Sequence, residues 1–75
     1  MPRTTKFSRH SLGQAIRNER AKLRLSQEKF AERAKVHRTY ISSIELGKVS
    51  IGIEIAQSLA SALGMKLSEL VRRAE

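Results

Sequence analysis

Between Leu12 and Val71 the apolar residues recur at helical spacing in five short runs, and no stretch alternates with the period of two that a half-buried strand requires. That pattern confines the chain to an all-α fold of short helices. Leu12, Ala15, Ile16 and Leu23 form the first stripe, with Arg17, Arg20, Lys22 and Arg24 alternating with them, and this helix is expected to end before Ser26. Ser26 suits an N-cap, and Glu28 in the turn that follows opposes the positive helix end. A second helix over residues 27–34 then buries Phe30, Ala31 and Ala34. Residues 35–37 break the pattern. A third helix over residues 38–46 turns Ile41 and Ile44 one way and Arg38, Thr39, Ser42 and Ser43 the other, and Gly47 closes it. After a loop, Gly52 is expected to cap a fourth helix carrying Ile53, Ala56, Leu59, Ala60 and Leu63, which Gly64 stops. Leu67, Leu70 and Val71 mark a short fifth helix whose last residues, Arg72 and Arg73, suit its negative end.

With 75 residues the chain is expected to form one domain, residues 11–75, behind a flexible basic arm, residues 1–10. A domain of this size buries only about 60% of its unfolded surface, so its core is marginal without a disulfide, a metal or a partner subunit. There is no Cys, and His10 and His37 stand far apart in the chain, so neither a metal nor any other cofactor is expected. The same inventory, which also lacks Asp, offers no catalytic constellation and points away from an enzyme. No apolar run approaches the roughly 18 residues of a membrane span, and the N-terminus lacks the apolar stretch of a signal peptide. A soluble cytoplasmic protein with no membrane partner and no small-molecule ligand is therefore expected.

Charge is more informative than size. The net charge is +8, and residues 1–48 hold 12 Lys or Arg against 4 Glu while residues 49–75 hold 3 against 3. A one-sided basic surface suits a polyanion, because neutralising phosphates releases counterions; a purely solubilising role is the alternative. Two helices of about eight residues joined by a short turn have helix-turn-helix geometry. A helix fits the major groove of B-DNA, where Arg, Ser and Thr can read base edges, and Arg can bond guanine O6 and N7 together. By spacing alone, the same face suits an ordinary solvated helix of a bundle equally well.

The run SQEKFAERAKVHRTYISSIELGK, preceded by LGQAIRNERAKLRL and followed by IEIAQSLASALGMKLSEL, resembles the phage lambda and 434 repressor and Cro-like helix-turn-helix family. Linked signals carry the resemblance over nearly the whole domain: IRxxR, SQ opening the second helix, YISxIExGK, then ALG. It implies a compact five-helix domain whose third helix enters the major groove of double-stranded DNA. It also implies a homodimer on an inverted repeat, and so a sequence-specific transcriptional regulator. Position by position, Arg38, Thr39 and Ser43 match the family's base-reading residues, with Ser42 alongside, and Gln27 matches a phosphate-gripping Gln. Tyr40 and Lys48 match backbone contacts, although a half-buried core aromatic is an equal reading of Tyr40. Arg20 and Glu45 match an internal salt bridge. The neutral, apolar C-terminal third makes Leu67, Leu70 and Val71 the candidates for the dimer interface, with core packing inside one chain as the alternative for each. Arg3, Lys6 and Arg9 give the arm three cations to follow a groove, unless the arm is disordered without a role.

The departures from the family pattern are specific. Lys35 stands where Gly commonly adopts a left-handed conformation, and His37 replaces a Ser or Thr cap and could instead reach a phosphate. Leu46 takes a site often held by Arg, Lys or Asn. Ile51 replaces a loop Pro, and the resulting SIG is similar to the NIS-type loop of restriction-modification controller proteins. A controller protein is thus one implied subfamily. An antitoxin-type regulator that binds a partner protein as well as its own promoter is the alternative, although no extra segment for grasping a partner is evident.

Overall fold

The computed structural model describes residues 7–75, and among them the chain forms five helices and no strand. They are α1 (Arg9–Lys22), α2 (Gln27–Ala34), α3 (Arg38–Glu45), α4 (Ile53–Ala62) and α5 (Leu67–Arg73). No helix among the described residues is long and apolar enough to cross a membrane. The helix starts follow capping chemistry. Ser26 Oγ accepts from Lys29 N at 3.0 Å to open α2, and Lys66 N donates to Glu69 Oε1 at 2.9 Å where α5 begins.

The start of α1 corrects the expected boundary at Ser11. Ser8 is the N-cap, with its Oγ accepting from Ser11 N at 3.1 Å and its own N donating to Ser11 Oγ at 2.8 Å. This reciprocal pair satisfies two amides that would otherwise lack partners, so helix extends into the basic segment. Phe7 before the cap and Leu12 in the first turn both line one apolar groove, the placement of a hydrophobic staple. Arg9 is consequently the first residue of α1 and not part of an arm, and its Nη1 lies 3.5 Å from Ser50 Oγ. Arg3 and Lys6 lie outside the described residues.

Each of α1 to α4 is followed, within two residues, by a residue with positive φ: Arg24, Lys35, Gly47 and Gly64. The backbone bonds repeat with them; at α2, Lys35 N donates to Glu32 O at 3.2 Å and Val36 N to Ala31 O at 3.0 Å. Lys35 holds φ 60 and ψ 42, the conformation expected of Gly there, at a cost of about 1–2 kcal/mol.

The core is a single cluster centred on Phe30, Ile16, Ile41, Leu59 and Leu70, all with less than 2% of their surface exposed. Helix α3 packs on α1 and α2, α2 also packs on α4, and α5 packs on α1 and α4. Gly13 permits a close approach of α1 and α3. A Cβ there would overlap the carbonyl oxygen of Ile44 and lie 2.9 Å from that of Glu45. The end of α3 is thereby seated directly on the backbone of α1.

Candidate nucleic-acid interface

Three residues, 35–37, separate α2 from α3, and burial of Phe30, Ala31 and Ala34 on one side and Ile41 and Ile44 on the other fixes the angle between the two helices. The opposite side of α3 is the strip the sequence singled out. Arg38 and Thr39 are exposed, and Ser42 and Ser43 are half-buried at its flank. Leu46, the C-cap of α3, continues this strip and is 55% exposed. Tyr40 is half-buried against the core, whereas Lys48 is exposed just beyond the Gly47 turn.

Beneath the strip lies a buried polar cluster. Arg20 Nε donates to Glu45 Oε2 at 2.7 Å and Arg20 Nη2 to Glu45 Oε1 at 3.0 Å, a bidentate pair with the Glu45 side chain 3% exposed. Arg20 Nη1 also donates to Leu25 O at 2.8 Å. The Arg20 guanidinium is held above its ordinary value, chiefly by the hydrogen bond to Glu45; burial opposes this and the charge of the carboxylate adds to it. The cluster ties α1, the turn after it, α2 and α3 together, and no buried side-chain N or O among the described residues lacks a partner.

Gln27 belongs to this cluster as well, which the sequence did not indicate. Its Nε2 donates to Glu45 Oε1 at 3.0 Å, so one amide N–H is committed inward and only the second remains for an outside acceptor. His37 caps α3, with Nδ1 accepting from Thr39 N at 3.2 Å. The ring therefore replaces the Ser or Thr cap in function, and only Nε2 is left to reach outward.

The three expected interface residues of α5 do not share one fate. Leu70 has 0% of its surface exposed and is a core residue, which removes it from any subunit interface. It sits at the centre of the apolar face of α5, with Leu67 and Val71 at the flanks, both half-buried. Those two line a groove of about 410 Å³ with Phe7, Ile51 and Ile53, and Ile53 is 73% exposed. Sequence pattern had placed Ile53 on the buried stripe of α4, but as the first residue of that helix it stands clear of the core.

The geometry is matched by known proteins. The family profile described as Helix-turn-helix matches residues 16–70. The control protein C.BamHI of Bacillus amyloliquefaciens is 38% identical over 60 residues, covering 79% of this chain and 74% of that protein. The restriction-modification controller protein C.AhdI of Aeromonas hydrophila superposes with a TM-score of 0.80 at 31% identity, covering 83% of this chain and 94% of that one. The clp gene regulator ClgR of Corynebacterium glutamicum superposes with a TM-score of 0.85 at 29% identity, over 97% of this chain and 76% of that one.

Proposed function

The chain belongs to the helix-turn-helix family of DNA-binding transcription regulators, and from that premise we propose that it is a controller-type regulator that binds an inverted-repeat operator as a homodimer, with α3 in the major groove. The observation that carries this reading is the strip of Arg38, Thr39, Ser42 and Ser43 on a helix whose other side is locked by the Arg20, Glu45 and Gln27 cluster. A reading helix must hold its side chains in register with base edges, and a buried bidentate ion pair under it supplies that rigidity. Eight residues span about 12 Å, enough for roughly three to four base pairs.

In this arrangement Arg38 bonds guanine, Ser42 and Ser43 meet base edges, and Leu46 suits a thymine methyl. The second amide N–H of Gln27, Nε2 of His37, the Tyr40 hydroxyl and Lys48 serve the phosphates. Arg3 and Lys6, ahead of α1, add two cations to the backbone contacts. Dimerisation covers the groove around Ile53, Leu67 and Val71, and gives a small core the partner surface it needs. The likeness to C.BamHI and C.AhdI supports the controller subfamily.

Selection from a pool of randomised duplexes, followed by sedimentation of the complex, tests the proposal. The expected product is an inverted repeat with half-site centres about 10 base pairs apart, carrying two chains. Enrichment of no sequence, or a non-repeat carrying one chain, would overturn it.

A further inference from the structure

His37 Nδ1 lies 3.2 Å from Thr39 N and 2.8 Å from Thr39 Oγ1. A backbone amide can only donate, so Nδ1 presents its lone pair to Thr39 N–H and carries no proton. With Nδ1 an acceptor, the contact to the Thr39 hydroxyl has one polarity: the O–H donates to the ring, at the shorter distance, and shares the single Nδ1 lone pair with the amide. A hydroxyl has a single proton. Once it is spent on His37, Thr39 Oγ1 faces outward with lone pairs alone. Ser42 and Ser43 differ, because their hydroxyls have no side-chain partner among the described residues and stay able to donate or accept.

We propose that His37 is a positioning residue that sets the base preference of Thr39: by accepting the one hydrogen bond the hydroxyl can donate, it leaves Thr39 only acceptor capacity towards a base. In the major groove an acceptor is matched by the amines of adenine N6 and cytosine N4, and mismatched by guanine O6 and N7 and by thymine O4. The inference rests on α3 being the groove helix. It makes the cap of that helix, two residues from the reading side chain, part of the recognition code. Thr39 can donate to guanine or thymine only by giving up its bond to His37. The discrimination is therefore that of about one net hydrogen bond, roughly threefold to tenfold in affinity.

The full-length chain is first used to select its site from randomised duplexes, and the position whose preference disappears in Thr39→Val marks the base pair that Thr39 faces. Four duplexes differing only there are then titrated with wild type, His37→Asn and His37→Ala, with thermal melts to confirm that each variant folds. His37→Asn keeps an acceptor at the cap. Wild type and His37→Asn are expected to favour adenine or cytosine on the contacted strand by roughly threefold to tenfold over guanine or thymine. His37→Ala is expected to weaken all four and also to bring their ratio towards one. A ratio unchanged in His37→Ala, or a wild-type preference for guanine or thymine, overturns the inference. If Thr39→Val alters no position while Arg38→Ala still does, the inference fails and the groove helix stands; if wild type selects no sequence, both fail.

Discussion

Replacing Arg20 and Glu45 by Met, singly and together, probes the element that holds α3 in place. Arg20→Met leaves the Glu45 carboxylate, 3% exposed, with Gln27 Nε2 as its one remaining side-chain donor among the described residues. Breaking a buried pair in this way costs about 3–5 kcal/mol, because an uncompensated charge stays behind. Glu45→Met strands the guanidinium, but Arg20 is 15% exposed and keeps Leu25 O, so about 2–3 kcal/mol is expected. The double replacement strands no charge. It leaves the Gln27 amide and the Leu25 carbonyl short of partners, for about 2–4 kcal/mol in all. The single losses together therefore exceed the double one by about 3–4 kcal/mol. A chain of 75 residues has a total stability of about 4–11 kcal/mol, so Arg20→Met alone removes a large share of it. Urea unfolding followed by far-UV circular dichroism gives all four values, provided the slope with denaturant is unchanged. A coupling below about 0.5 kcal/mol would refute the reasoning, since that is the level at which independent sites add.

Three further changes test the packing. Ile53→Glu, at a side chain 73% exposed, is expected to leave the monomer fold intact yet weaken self-association at least about tenfold in sedimentation equilibrium; an unaltered dimer would exclude the groove as the interface. Lys35→Gly relieves a left-handed φ of 60 and should raise stability by about 0.5–1 kcal/mol after the entropy of the added glycine, and a lower urea midpoint would contradict this. Gly13→Ala should destabilise by about 1–3 kcal/mol, although Ala is the better helix former, because its Cβ meets the backbone at the end of α3; a gain in stability would deny the close approach of α1 and α3.

The helices were legible because strong local punctuation marks them. Ser26 opens α2, Gly47 and Gly64 close α3 and α4, and residues 35–37 interrupt a clear 3.6-residue stripe. What stayed hidden depends on tertiary geometry or on weaker local chemistry. The cap of α1 uses Ser11 where the familiar pattern has Glu or Gln, so Ser8 carried little signal inside a basic segment. Leu67, Leu70 and Val71 share one stripe, and a stripe does not reveal which residue lies at its centre; packing on α1 and α4 puts Leu70 there. Gln27 meets Glu45 across 18 residues of chain, a contact that exists only once α3 is seated. An isolated glycine within the first helical stripe was the available sign that Gly13 marks a crossing.

Reading and gripping are separated most directly by competition binding at fixed salt with three duplexes: the selected inverted repeat, the same repeat with about five base pairs inserted between half-sites, and random sequence. The insertion turns one half-site by about half a helical turn, so a dimer cannot engage both. Wild type is expected to bind the intact repeat far more tightly than either competitor. Arg38→Ala is expected to lose about 1–3 kcal/mol on that repeat and little on random DNA, because the contact it removes is to a base. Equal wild-type affinity for the three duplexes, or an equal loss on all three in Arg38→Ala, would contradict sequence reading by α3.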